Sequence, residues 1–149
     1  MSAILEGKEC PYCGRPSQYH HSSKLIYGKN YGPVWACLAC RAWVGCHKNN
    51  PRRALGRLAD AALRKWKSRA HVMFDPLWKK TDMTRTEAYA WLAEEMNLAP
   101  ELCHFGMFDE EQCKTACKII GFRILQEDAE VLYTTNVLDD PAYTELYPF

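Results

Sequence analysis

Two pairs of cysteines near the start of the chain have the type and spacing that most clearly indicate chemistry. Cys10 and Cys13 form one Cys-x-x-Cys pair, and Cys37 and Cys40 form another after an interval of 23 residues. A structural zinc ion takes four such ligands in a tetrahedron, and a two-residue gap lets one tight turn direct both sulfur atoms at the metal. Pro11 and Gly14 suit that turn, the first by restricting φ and the second by permitting a positive φ. We therefore predict one structural Zn²⁺ on these four cysteines.

Other side chains compete for the ligand positions. Cys46 and His47 follow the second pair closely, and either could replace one of the four cysteines. His20 and His21 are also near in the sequence. Residues so placed more often pack beside a metal site than join it, so we keep the four-cysteine assignment and leave the substitution as an alternative.

A second metal site is another possibility, further along the chain. Cys113 and Cys117 are four residues apart in a segment with helical periodicity, and Cys103 and His104 precede them. Because cysteine is among the most buried residue types and this stripe is apolar, we expect core thiols there rather than ligands.

Signals for an enzyme are weak. The chain has no Gly-x-Ser-x-Gly, phosphate loop or dinucleotide fingerprint, and a filled four-cysteine site leaves no position for activating water. The cysteine–histidine neighbours Cys46–His47 and Cys103–His104 keep a nucleophile as an alternative. Paired cysteines around a histidine also resemble HNH nucleases, for which His71 is the candidate ligand on a following helix. We favour a non-enzymatic protein, with an HNH-like nuclease as the weaker alternative.

The segments around the cysteines read as short strands. Aromatic and aliphatic residues precede a turn-rich stretch at 28–33, and apolar residues lead into and out of the second pair. In a zinc ribbon, strands flank the tight turn that carries a cysteine pair, which is called a knuckle. In a treble clef, a helix would begin at the second pair. Arg41 stands where a glycine is usual, which leaves both alternatives open.

The residues after the second cysteine pair predict a long helix, with Asn50 as its N-cap and Pro51 at its first position. Apolar residues recur at steps of three and four, including Leu58, Ala62 and Trp66. At about 100° per residue, the opposite face collects a basic row. Such a row could follow a phosphate backbone, although a solvated face is the ordinary explanation. The candidate nucleic-acid contacts are Arg53, Arg57, Arg64 and Lys67.

Two further helices have recognisable starts. Thr84 and Glu87 form a capping box for a helix that we expect to reach about Leu98. Asp109 and Gln112 open the last helix, which we expect to end at Gly121.

Charge is distributed unevenly along the 149 residues, although the formal net charge is only +1. Residues 1–80 carry 15 Lys/Arg and 4 Asp/Glu, whereas residues 81–149 carry 4 and 14. The final segment, 127–149, has six acidic side chains, no basic one and several aromatic rings. It could cover the basic half, mimic nucleic acid or hold a basic partner.

The remaining composition is that of a globular protein, with 48% hydrophobic residues. Without an apolar run of about 20 residues we expect no membrane span. Without an apolar stretch at the N-terminus we expect no secretory signal and a cytoplasmic location.

Several segments together resemble a family of short phage and bacterial zinc-finger-containing proteins of unknown function. The resemblance covers residues 10 to about 120 and implies zinc on the paired cysteines and a cytoplasmic protein that a phage could encode. It implies no activity. The segments that carry it are Cys10–Gly14, Val34–His47, Leu55–Asp60, Ala70–Trp78, Glu87–Leu92 and Cys103–Asp109.

These observations predict an α+β fold in which a small antiparallel zinc ribbon packs on about three helices as a single compact domain. The expected divisions are a zinc-ribbon-like module at 1–48, a helical region at 49–126 and the acidic tail at 127–149. The function we favour is that of a non-enzymatic zinc-binding protein that contacts nucleic acid through the basic half. The alternative is a phage-type factor that inhibits a host or defence protein; no small-molecule substrate is evident.

Overall fold

A three-stranded antiparallel sheet organises the first part of the computed structural model, which describes residues 2–127. The strands are β1 (Gln18–His20), β2 (Val34–Cys37) and β3 (Ala42–Gly45), in the order β1-β2-β3. Tyr19 pairs with Trp35, and Trp35 with Val44. A single helical turn, α1 (Lys24–Tyr27), follows β1. The strand that leaves the second cysteine pair identifies the ribbon arrangement rather than the treble clef.

The chain after β3 does not form the helix that its periodicity predicts. Residues 53–59 instead continue the sheet edge, because Leu55 N donates to Gly45 O at 2.9 Å, and Ala59 and Trp43 exchange two backbone hydrogen bonds. The prediction of a helix start at Pro51 is therefore wrong by ten residues. Pairing satisfies the unpaired groups of β3, and this tertiary gain outweighs the local helical pattern.

Helices make up most of the remaining described chain. They are α2 (Ala61–Phe74), α3 (Pro76–Lys79), α4 (Arg85–Glu95) and α5 (Glu110–Glu127), with 3₁₀ turns at Pro100–Leu102 and Phe105–Met107. Both predicted capping boxes are present. Thr84 and Glu87 exchange side chain-to-backbone bonds of 3.0 and 3.1 Å, and Asp109 and Gln112 exchange bonds of 2.9 and 2.8 Å.

Two predicted helix ends are wrong. Helix α4 ends at Glu95, and Asn97 takes a φ of 55° two residues later. Helix α5 continues past Gly121 to Glu127. Gly121 lies inside the helix, where a Cβ would stand 3.6 Å from the terminal methyl of Met73, an ordinary contact.

The described residues fall into two compact units, the first up to Ala62 and the second from Leu63. In the second unit Phe105 is the centre of an aromatic core, with ring centroids at 4.6 Å from His71, 5.3 Å from Phe74 and 5.4 Å from Phe108. Cys113 and Ile120 of α5 are fully buried. The α+β class is confirmed, and no helix in the described part is long and apolar enough to cross a membrane.

Candidate metal centre

The first cysteine pair lies on a tight turn that precedes β1. Cys10 N donates to Arg15 O at 2.8 Å, and Gly14 N donates to Cys10 O at 2.9 Å, which closes the turn around the two sulfur atoms. Gly14 has a φ of 75°, in the left-handed region that favours glycine. Cys10 is completely buried, whereas Cys13 is exposed.

The second pair lies on the turn between β2 and β3. Cys37 is the last residue of β2 and Ala42 begins β3, so the sheet itself fixes the direction of this knuckle. Arg41 has a φ of 53° and so takes the same left-handed conformation as Gly14. The two knuckles are therefore alike in backbone shape although an arginine replaces the usual glycine.

The four sulfur atoms converge on one small volume. All four lie within 4.8 Å of one another, and the Sγ atoms of Cys13 and Cys37 are 3.8 Å apart. A tetrahedron with Zn–S bonds of about 2.3 Å has sulfur–sulfur edges of about 3.8 Å. The donor set and its spacing therefore fit one zinc ion held by Cys10, Cys13, Cys37 and Cys40.

Burial and hydrogen bonds within the cluster shift the pKa values of its thiols in opposite directions. Burial raises the pKa of Cys10, although the backbone N–H groups of Tyr12 and Cys13 oppose this by donating to its sulfur. The backbone N–H of Arg15 lowers the pKa of Cys13, whereas the hydrogen bond with Cys13 raises that of Cys40 to about 12. The shifts of Cys13 and Cys40 are opposite because the hydrogen bond between them favours the thiolate of Cys13 and the thiol of Cys40.

Apolar side chains support the cluster on one side. Cys10, Cys37, Ala42 and Leu58 form a buried group against which Trp35, Cys40 and Val44 pack. Leu58 reaches this group because residues 53–59 run along β3. On the other side, the Tyr12 hydroxyl accepts a 3.1 Å hydrogen bond from Asp60 N and so ties the first knuckle to the end of that segment.

The alternative ligands lie outside the four-sulfur group. Cys46 bridges to Ala54 on the sheet edge, and burial raises the pKa of its thiol. His47 N donates to Arg53 O at 2.9 Å. Among the described residues, the metal-ligand group includes neither of them, nor His20 or His21.

The later candidates belong to the second unit. Cys103 and Cys113 are buried and Cys117 is half-buried, as expected for core thiols. Burial raises the pKa values of Cys103 and Cys117 to about 11. His71 lies on α2, with its ring against Phe105 and its Nδ1 4.0 Å from an Asp75 carboxylate oxygen.

The sequence predicts that four basic residues share one face of a helix, but in the structure their environments differ. They are Arg53, Arg57, Arg64 and Lys67. Arg53 and Arg57 precede α2, on the segment that pairs with β3. Arg53 is exposed, and Arg57 and Arg64 are half-buried. Lys67 is only 7% exposed, and its Nζ donates to Gly106 O at 3.4 Å. The expectation of one exposed helical face is therefore wrong.

Sequence reasoning missed an aromatic group beside the sheet. The sequence predicts a strand up to Tyr27, which is wrong because Tyr27 ends the helical turn α1. Its hydroxyl accepts a 2.9 Å hydrogen bond from Trp43 Nε1 of β3. Lysine and tyrosine occur in turn within residues 24–31, and this was the one pattern in the sequence that could have indicated the aromatic group.

Comparison with known proteins gives one family. A family model described as a zinc-finger-containing domain matches residues 6–123, which include all four clustered cysteines. No curated protein and no solved structure matches the chain.

Proposed function

The chain belongs to the family of zinc-finger-containing domains, and from that premise we propose that it is a non-enzymatic module that contacts nucleic acid through its zinc-bearing first unit. The zinc is structural, because four cysteine ligands fill its coordination sphere. When bound, it supplies folding free energy to a unit with a small apolar core.

The charge of the first unit carries the proposal. Residues 1–62 contain nine Lys/Arg and three Asp/Glu. Eight of the nine basic side chains are exposed. A surface of this kind attracts a phosphate backbone and releases counterions on binding. The eight are Lys8, Arg15, Lys24, Lys29, Arg41, Lys48, Arg52 and Arg53.

The contacts we favour lie beside the sheet edge. Lys48, Arg52 and Arg53 follow β3 closely. The backbone of Arg53 is held by a bond from His47 N to its carbonyl oxygen and by its own donation to Asn50 O. Trp35 Nε1 donates to Arg52 O at 2.8 Å, and the Arg52 guanidinium stands 4.5 Å above the Tyr19 ring. A fixed backbone lowers the entropy cost of placing basic side chains on phosphates.

The test is the salt dependence of binding. We expect the full chain, loaded with zinc, to bind a random DNA duplex with an affinity that falls steeply as salt rises. In the double variant Lys48→Ala, Arg53→Ala, the slope of log K against log salt should fall by about 0.9 for each phosphate that the variant no longer neutralises. Lys65→Ala, Lys118→Ala removes two exposed charges from the second unit and is the matched control.

Two results would contradict the proposal. One is the absence of measurable binding to duplex and to single strands at low salt. The other is an equal change of slope in the Lys65, Lys118 control, because a general charge effect would then explain the binding.

A second candidate function, binding to a protein partner, has support from the second unit. Phe122 and Leu125 of α5 are 68% and 77% exposed. Phe122 lines a cleft of about 460 Å³ together with Trp91 and Ile119, and the rest of the lining is polar. The polar lining residues are Glu95, Arg123 and Gln126. An exposed apolar patch of this kind is typical of an interaction site. Capture of a host protein that Phe122→Glu abolishes, together with no nucleic-acid binding, would favour this function.

A further inference from the structure

The loop between β1 and β2 combines exposed aromatic rings with positive charge. We call residues 23–31 the aromatic loop. Tyr31 is 73% exposed and Tyr27 45% exposed. Lys24 and Lys29 are exposed, and the loop contains no acidic residue.

The rings are arranged as a connected group rather than scattered. The ring centroids of Tyr27 and Tyr31 are 5.6 Å apart with an interplanar angle of 87°, and those of Tyr27 and Trp43 are 6.1 Å apart at 84°. Tyr27 lies between the other two and is fixed by the hydrogen bond from Trp43 Nε1. Tyr31, at the end of the series, presents most of its ring to solvent.

Hydrogen bonds hold the loop in this shape. Ser23 is 1% exposed, and its Oγ accepts a 2.8 Å hydrogen bond from Tyr31 N. Asn30 Oδ1 accepts from Gly32 N at 2.9 Å, and Gly28, with a φ of 77°, closes α1 through a bond to Lys24 O. The position of the Tyr31 backbone is therefore set before any partner binds, which reduces the entropy cost of binding.

We infer that the aromatic loop is a stacking platform for the bases of a single-stranded nucleic acid. The exposed Tyr31 ring offers a face to one base, and Lys24 and Lys29 offer charge to the neighbouring phosphates. A duplex keeps its base faces inside its own stack, whereas a single strand leaves them available. The inference rests on the proposed function and adds to it the class of strand and the residue that recognises it.

The test measures the affinity of the zinc-loaded full chain for an oligothymidylate of about 15 nucleotides and for a duplex of the same length. We expect tighter binding to the single strand. Tyr31→Ala should weaken single-strand binding about 5- to 150-fold, which is the fold-change that corresponds to the free energy of stacking one base on an aromatic ring. It should leave duplex binding within about twofold, because phosphate contacts with the duplex do not use the ring.

Two further variants make the result specific. Tyr31→Phe keeps the ring face and should bind the single strand as the wild type does. Phe122→Ala removes an equally exposed aromatic ring from the second unit and should have no effect. Zinc content and the circular dichroism spectrum should be unchanged in all three variants. The bond from Tyr31 to Ser23 uses the backbone N–H, and the Phe122 side chain is mostly exposed.

The outcomes separate this inference from the proposed function. If single strand and duplex bind equally and Tyr31→Ala has no effect, the platform is refuted while the nucleic-acid function stands. An equal loss in Phe122→Ala also refutes it. If neither nucleic acid binds at low salt, both fail. Single-strand binding that Tyr31→Ala weakens and Tyr31→Phe leaves unchanged supports both.

Discussion

Replacing a zinc ligand can destabilise the protein through lost metal binding and through lost packing, and the four cysteines differ in the balance of the two. Cys10 is completely buried within the apolar group, so replacing it would alter packing as well as ligation. Cys13 is exposed and contributes little to that packing. A substitution at Cys13 therefore isolates the effect of removing one ligand.

We expect Cys13→Ser to lower both zinc content and stability, because three thiolates leave the tetrahedron open. Elemental analysis should give about one zinc per chain for the wild type and clearly less for the variant. Cys46→Ser is the matched control, since Cys46 lies outside the four-sulfur group. Full zinc occupancy in Cys13→Ser would contradict the assignment.

The residues that follow the two cysteine pairs adopt the same left-handed backbone conformation at different steric cost. Gly14 and Arg41 share a positive φ, but only glycine adopts it without steric cost. A Cβ at Gly14 would meet no atom within 4 Å, so its substitution tests the backbone conformation alone.

For the zinc-loaded protein we expect Gly14→Ala to lower the free energy of unfolding by about 1 kcal/mol, because it introduces a left-handed non-glycine residue. Arg41→Gly should raise it by up to about 1 kcal/mol for the reverse reason, less the greater freedom of glycine in the unfolded chain. Urea unfolding measures both. Changes of the same sign would show that the φ values do not determine the outcome.

At the scale of elements, the segment 53–59 shows where local pattern fails. Leu55 and Leu58 belong to one stripe in a helix, yet they have different environments once the segment pairs with β3. Leu58 is fully buried beside the cysteines, whereas Leu55 is 45% exposed. The pattern of apolar residues alone does not distinguish these two outcomes.

This difference is directly measurable. We expect Leu58→Ala to lower the free energy of unfolding by about 2–5 kcal/mol, as for other buried leucines. Leu55→Ala, the matched control, should have a much smaller effect because its side chain is already in contact with solvent. Similar losses of stability for the two variants in urea unfolding would contradict the pairing of this segment with β3.

The capping box at the start of α4 makes stability depend on pH. The backbone N–H of Thr84 donates to Glu87, and this bond lowers the pKa of the Glu87 carboxyl from its ordinary value of 4.5. A lowered pKa in the folded state stabilises the fold above the unfolded pKa, and this stabilisation is lost as pH falls through the folded pKa.

Accordingly, Glu87→Gln should be destabilising near neutral pH, and its difference from the wild type should shrink below about pH 4. Thr84→Ala, which removes the other half of the box, should cost about 1 kcal/mol near neutral pH. Thermal unfolding across the pH range measures both variants. A Glu87→Gln difference that stays constant from neutral to acid pH would contradict the role of the carboxylate.

At the scale of the whole molecule, the zinc ligands all belong to the first unit. We expect a chelator to remove protection from hydrogen exchange first in β2 and β3, while the amides of α4 and α5 stay protected. Added zinc should restore that protection. Mass spectrometry measures the exchange. If the amides of α5 lost their protection at the same time as those of β2, the two units would unfold together.

The features that the sequence predicted correctly are those determined within a few residues. The spacing of the cysteines predicted the zinc ligands, and the capping boxes at Thr84 and Asp109 predicted where two helices begin. The features it missed depend on distant partners. The pairing of residues 53–59 requires β3, and the burial of Lys67 requires the carbonyl of Gly106, 39 residues further along. Neither partner is visible to a local pattern.

The β1–β2 connection has a consequence for the variability of this protein. The chain leaves the sheet at His20 and returns at Val34, and these two residues pair directly. The thirteen intervening residues supply none of the four sulfur ligands. We therefore expect insertions at the exposed tip of this connection, as in a display library, to leave the metal site and the strand register unchanged.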